Sequence, residues 1–276
     1  MIHLGEYNTL RILRDTEPGL FLGDNEENEV LLPNRYVPKT FEIDDEIEVF
    51  VYLDNEERPV ATTDHPFIIA NDFALLRCNQ VNDYGAFLDW GLVKELFCPF
   101  REQAFKMKKG SWYLVHCYLD TESNRLVASS KTNSFLNNKE LTVTQFDEVD
   151  IIVSHPSDLG MNVIINKMHL GLIFNDDIYK DISVGDRLKG IVKKVRPDNK
   201  LDISLNQIGY RNIEPNAEFI LNELHDNSGF IPLHDKSSPE AIKEQLEMSK
   251  KSFKKAIGTL YKERQIEIKP DGIYLK

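Results

Sequence analysis

The chain has 276 residues, of which 41% are hydrophobic and 28% charged, and its formal net charge is −12. That balance fits folded, multidomain globular structure and excludes a disordered or low-complexity chain. No apolar run approaches the ~18 residues that span a membrane, and the opening MIHLGEYNTLRILRDTEPG lacks a basic segment leading into an apolar one, so a cytoplasmic protein is expected. Cys78, Cys98 and Cys117 follow no CxxC spacing and read as buried, reduced thiols.

The first 66 residues open an internal repeat. A shift of 66 aligns Gly19-Leu20-Phe21-Leu22 with Gly85-Ala86-Phe87-Leu88 and Tyr52-Leu53-Asp54 with Tyr118-Leu119-Asp120, without a gap. A further shift of 75 puts Gly85 on Gly160 and Gly110 on Gly185. One unit therefore occurs three times, over 1–66, 67–142 and 143–212. The first copy carries 5 basic and 16 acidic side chains, a net of −11, whereas the second nets +1 and the third −1. Such an acidic surface repels phosphate, so copy one is expected to be structural or to meet a protein partner.

The second copy is the clearest. Phe73–Asn82, Ala86–Asp89, Leu96–Phe100, Trp112–Leu119 and Arg125–Ser129 read as five short strands with turn residues between them. The fourth alternates, with Tyr113, Val115, Cys117 and Leu119 on one face and Trp112, Leu114, His116 and Tyr118 on the other. Five strands in about 65 residues usually close into a small barrel, because closure removes exposed edges.

The third copy repeats the plan but ends in VKKVRPDNKLDISLNQIGY, a hairpin about Pro197-Asp198-Asn199 that crowds Lys193, Lys194, Arg196 and Lys200 together. These can grip phosphates but cannot read bases. The segment FNDDIYKD (174–181) reads as turn and cap residues, not as a metal site.

After Tyr210 the period changes. Ala217–Leu224 forms a short amphipathic helix, and Ser238, Pro239 and Glu240 start another. In SKKSFKKAIGTLYKE, Phe253, Ala256, Ile257, Leu260 and Tyr261 form one stripe expected to be buried. Lys251, Lys255 and Lys262 lie opposite it with Lys254 at the flank, and Ser249–Arg264 nets +5. Gly258 lies among these lysines; a glycine there costs a helix roughly 1 kcal/mol relative to alanine but permits close backbone approach. QIEIKPDGIYL then reads as a hairpin. Helix, helix, turn, helix and hairpin is the order of a winged helix, here 213–276.

YGAFLDWG, KGSWYLVHCYLD and NRLVASSK resemble the S1 domain of the OB fold. That resemblance implies an aromatic face at Tyr84 and Phe87, a polar rim at Asp120 and Arg125, and cations nearby at Lys94 and Arg101. The histidine that S1 domains often carry in the third strand falls on Pro99, a departure that weakens the site. Copy three has Leu159 and Asn162 in place of the two aromatics. The whole order, with SGFIPLHDKSSPEAI and MSKKSFKKAIGTLYKE, resembles the conserved virulence factor B family. The resemblance implies tandem S1 domains ahead of a winged helix, and RNA binding.

The expected fold is thus mainly β and multidomain: three S1/OB-type five-stranded barrels followed by an α+β winged helix. The expected function is that of a non-enzymatic, monomeric protein that binds single-stranded RNA in post-transcriptional control, without cofactor or metal. No HExxH, P-loop or GxSxG pattern argues for catalysis. Two alternatives stand beside it, a DNA-binding transcription regulator using the winged helix and a protein-interaction scaffold with degenerate S1 folds.

Overall fold

A computed structural model describes residues 1–178, 181–205 and 215–276. The sequence-based boundary at 212/213 lies outside the described residues. Residues 1–205 form one compact unit, and the C-terminal residues form a second.

Three closed five-stranded barrels make up the first unit. Barrel 1 contains β1 (Tyr7–Thr16), β2 (Gly19–Gly23), β3 (Glu29–Pro33), β4 (Glu46–Leu53) and β5 (Pro59–Thr62). Barrel 2 contains β6 (Asp72–Val81), β7 (Gly85–Asp89), β8 (Leu96–Pro99), β9 (Trp112–Asp120) and β10 (Arg125–Ser129). Barrel 3 contains β11 (Glu148–Ser157), β12 (Gly160–Ile165), β13 (His169–Phe174), β14 (Arg187–Val195) and β15 (Leu201–Ser204). In each, the third strand pairs in parallel with the fifth, and the other neighbours are antiparallel. The first strand of every barrel carries a bulge at the same place, after Ile12, Cys78 and Val153, which matches the shifts of 66 and 75. Bulges bend a strand and tighten its twist, as barrel closure demands.

The repeated glycine has a steric reason. A Cβ on Gly19 would lie 2.1 Å from the Leu32 carbonyl oxygen, on Gly85 2.4 Å from that of Cys98, and on Gly160 1.9 Å from that of Ile173. The second strand crosses the third so closely there that no side chain fits.

Alternation in the fourth strands sorts residues between a barrel's own core and its neighbour. Val49 and Val51 of β4 point into barrel 1, while Phe50 and Tyr52 face outward and meet Trp90 of barrel 2 edge-on, at 5.7 and 6.1 Å between ring centroids. Edge-to-face pairs of this kind are worth about 0.5–1.5 kcal/mol each beyond the area they bury. On β9, Val115 and Cys117 fill barrel 2, while the His116 ring stacks on Phe135 (4.0 Å) and meets Phe73 at a tilt (4.6 Å). Phe73 in turn packs on Ile152 and Ile164 of barrel 3. Buried Asp72 accepts from Lys167 of barrel 3 at 2.8 Å and lies 3.3 Å from Arg187. The cysteines are free and buried; burial pushes the Cys98 and Cys117 thiols up to about 12.

In the C-terminal unit, α1 (Pro215–Asp226), β16 (Phe230–Ile231), α2 (Pro239–Leu246), α3 (Lys250–Lys262), β17 (Ile266–Lys269) and β18 (Gly272–Leu275) form a winged helix with strand order β16-β18-β17. Ser238 caps α2 by accepting from the Ala241 amide, and Ser249 caps α3 by accepting from that of Ser252, both at 3.1 Å. The sequence reading missed β16, whose two residues are too few to show alternation. Phe253, Ala256, Ile257 and Leu260 are buried as expected, but Tyr261 is 56% exposed. At 3.6 residues per turn Tyr261 lies about 80° round the helix from Phe253, past the edge of the stripe.

Candidate nucleic-acid interface

An open cavity of about 570 Å³ lies on the outer face of barrel 2. The short strands β7 and β8 run antiparallel there, with Phe87 directly opposite Phe97. Their inward neighbours, Ala86, Leu88, Leu96 and Cys98, fill the core, so the two phenylalanines must face out. Their rings lie 5.1 Å apart and tilted 41°, half-buried. Tyr84, at the turn before β7, is 77% exposed, and Asn82 fixes that turn by accepting from the Tyr84 and Gly85 amides.

Two cations close the opposite rim. Lys94 leaves the end of the β7–β8 turn and donates to the Asp54 carbonyl of barrel 1 at 2.7 Å. Burial holds its ammonium pKa below the ordinary value, and the charge of Arg125 adds to that. Arg125, at the start of β10, forms an ion pair with Glu57 of barrel 1. Tyr52, Asn55 and Glu57 supply a wall of the cavity. Copy one, read from its charge as a structural or protein-contact module, thus also lines this cavity.

Tyr84, Phe87, Lys94 and Arg125 are thus brought together. Arg101 is not; it lies 3.6 Å from Asp120 and 3.9 Å from Glu102, away from the cavity. Sequence reasoning missed Phe97, although the alternation of LFCP marks it as outward-facing, and missed Asn55 and Glu57, which no pattern within barrel 2 could signal.

The basic hairpin of barrel 3 is largely neutralised. Lys193 donates to both carboxylate oxygens of Asp177 at 2.8 and 2.6 Å, Arg196 pairs with Asp202 at 2.8 Å, and Lys200 with Asp198 at 2.9 Å. Lys194 is exposed. Asp177, within the FNDDIYKD segment, thus serves as an ion-pair partner, and among the described residues no cluster of His, Cys, Asp and Glu could hold a metal ion. A smaller cavity of about 290 Å³ on this barrel is lined by Leu159, Asn162 and Leu172 with Arg196 and Lys200, and offers no aromatic platform.

On α3 the side chains of Lys251, Lys254, Lys255 and Lys262 are exposed, and a Cβ on Gly258 would meet nothing within 4 Å. The helix therefore presents a cationic face with open space over its glycine.

Comparison with known proteins agrees with this architecture. Residues 218–275 match the model of a CvfB-like winged helix domain, and residues 4–64 match an S1 domain. The chain is 31% identical to YitL of Bacillus subtilis, over 95% of this chain and 90% of that protein. It is 25% identical to conserved virulence factor B of Staphylococcus epidermidis, over 93% of this chain and 89% of that one. The chain belongs to the conserved virulence factor B family. A crystal structure of a multidomain protein with nucleic acid binding domains from Streptococcus pneumoniae is 25% identical, with a TM-score of 0.44, over 99% of this chain and 98% of that one. The family's modules, S1 barrels and a winged helix, are folds that recur in nucleic-acid binding.

Proposed function

We propose that this member of the family is a non-enzymatic protein that binds single-stranded RNA and acts, as a monomer in the cytoplasm, in post-transcriptional control. The observation that carries the reading is the barrel 2 groove: the Phe87–Phe97 pair and exposed Tyr84 face solvent beside Lys94 and Arg125. Bases stack on aromatic side chains while cations track the backbone, and a duplex, with its bases already stacked, cannot use such a face. The three buried, free thiols suit a reducing compartment. The outer faces of the barrels bury one another at Phe50–Trp90 and at Phe73–Ile152, which suits a monomer.

The test is fluorescence polarisation with matched single-stranded RNA, single-stranded DNA and duplex DNA across a salt series. Single-stranded RNA should bind tightest. Replacing Tyr84 and Phe87 with alanine should weaken it by about 1–3 kcal/mol per lost stack with little change in salt slope. Equal or tighter binding to duplex DNA would favour a transcription regulator that uses α3. No binding to any of the three would leave the scaffold.

A further inference from the structure

The loop from Phe100 to Trp112, between β8 and β9, carries Arg101, Lys106, Lys108 and Lys109 against a single acid, Glu102. From Ala104 to Gly110 it has three lysines and no acid. Unlike the barrel 3 hairpin, Lys106, Lys108 and Lys109 are exposed and make no ion pair among the described residues. Phe105, in their midst, is 84% exposed.

This exposure does not come from a loose loop. Gln103 is buried and donates to the Cys98 carbonyl at 3.0 Å while accepting from the Met107 amide at 2.9 Å. Met107 is 2% exposed and belongs to the barrel 2 core, and the Lys108 amide donates to the Tyr113 hydroxyl at 2.8 Å. Two buried anchors therefore hold the loop so that only Phe105 and the lysines turn outward. A solubilising surface needs no exposed phenylalanine. An aromatic among unpaired lysines is the combination that takes a base and its phosphates.

The loop also adjoins the groove. Phe100, 40% exposed, donates its backbone amide to the Tyr84 carbonyl at 3.3 Å, and the Lys106 ammonium lies 6.0 Å from the centre of the Phe100 ring. From Phe87 through Tyr84 and Phe100 to Lys106, aromatic and cationic groups follow one another.

We propose that the 104–110 loop is a second contact for the same strand, so that single-stranded RNA leaving the groove past Tyr84 crosses Phe100 and lays its phosphates on Lys106, Lys108 and Lys109 with a base on Phe105. The proposal rests on the reading of the groove as a single-strand site, and it sets the length of strand that barrel 2 engages. A segment of about four nucleotides fills the groove alone, and a longer one reaches the loop.

The experiment measures binding of mixed-sequence single-stranded RNA, a 4-mer and a 12-mer, to the full chain, to F105A/K106A/K108A/K109A and to Y84A/F87A. All the loop substitutions are at exposed positions and leave Gln103 and Met107 in place. The loop variant should bind the 12-mer about tenfold more weakly, with a salt slope lower by about 2 for three phosphate contacts at roughly 0.7 each, and the 4-mer unchanged. A charge-reversing K108E/K109E variant should show the same length dependence. Unchanged 12-mer binding, or equal losses for both lengths, overturns the loop contact while the groove reading stands, provided that Y84A/F87A still weakens the 4-mer. If neither length binds, both readings fall.

Discussion

Arg125 of barrel 2 is ion-paired with Glu57 of barrel 1 on the rim of the aromatic groove, 68 residues away in sequence. The acidic first barrel thus places a carboxylate on Arg125, which the proposed single-strand reading assigns to a phosphate. Both side chains are about half exposed, at 52% and 54%, so the pair contributes little to folding, and its larger effect is on what Arg125 is free to meet. Glu57→Gln should therefore raise affinity for single-stranded RNA by about two- to fivefold and steepen the salt dependence by roughly one phosphate contact, 0.7. Polarisation titrations at two or more salt concentrations measure both. Weaker binding by this variant would take Arg125 off the path of the strand.

On α3, Lys251, Lys254 and Lys262 are exposed and lie off the buried Phe253–Leu260 face, so replacing all three with alanine should leave the melting temperature unchanged or slightly raised. RNA affinity should fall uniformly across sequences, with a salt slope lower by about 2. Unaltered affinity and slope would make this face merely a solubilising one. The barrel 3 hairpin is a poor substitute, since Lys193, Arg196 and Lys200 already hold carboxylates.

What was legible in the sequence is whatever repeats within one module. The shifts of 66 and 75 identified three barrels, and the glycines they align are those where β2, β7 and β12 crowd the next strand. The alternation of β9 separated Val115 and Cys117 from His116 and Tyr118 correctly. What was not legible depends on partners far along the chain. Phe50 and His116 are equivalent under the 66-residue shift; Phe50 buries its ring against Trp90 of barrel 2, and His116 packs on Phe73, which meets barrel 3, but alternation says only that they face outward. A count of local charge registered Lys193 and Arg196 as a basic patch because Asp177 and Asp202 pair with them only in the folded barrel. The 104–110 loop was hidden by averaging, its three lysines lost in a segment that nets +1.

Gly160 tests the account of the repeat. Its φ of +152° and the 1.9 Å approach of a built Cβ to the Ile173 carbonyl oxygen leave no room for a side chain. The clash is with backbone, which cannot swing aside as a flexible side chain would. Gly160→Ala should destabilise the protein by at least about 1–3 kcal/mol, read as a lower urea midpoint. Alanine at Gly110, where nothing lies within 4 Å although φ is +85°, carries only the conformational part of that cost and should be milder. Equal losses at the two positions would show that backbone conformation, and not crowding, accounts for the glycine.

His116 makes the junction of barrels 2 and 3 sensitive to acid. It is 6% exposed, its Nδ1 has no hydrogen-bond partner among the described residues, and its ring stacks on Phe135 with Phe73 tilted against it. Burial lowers its pKa from 6.5 to about 4, with the nearby Asp72 carboxylate opposing the shift. The folded state therefore holds this imidazole neutral over a range in which the unfolded chain protonates it. Stability from this group is complete above about pH 6.5 and is lost progressively as pH falls towards 4, by an amount on the order of 3 kcal/mol. His116→Phe keeps a ring for Phe135 and removes the titration. The difference in urea midpoint between wild type and variant should thus shift steadily in favour of the variant from pH 7 to pH 4.5. Because acid-titrating carboxylates are shared by both proteins, that difference isolates the histidine; a difference that stays constant with pH would mean that His116 titrates in the fold as it does in the unfolded chain, and one that moves against the variant would mean that the fold favours the protonated ring.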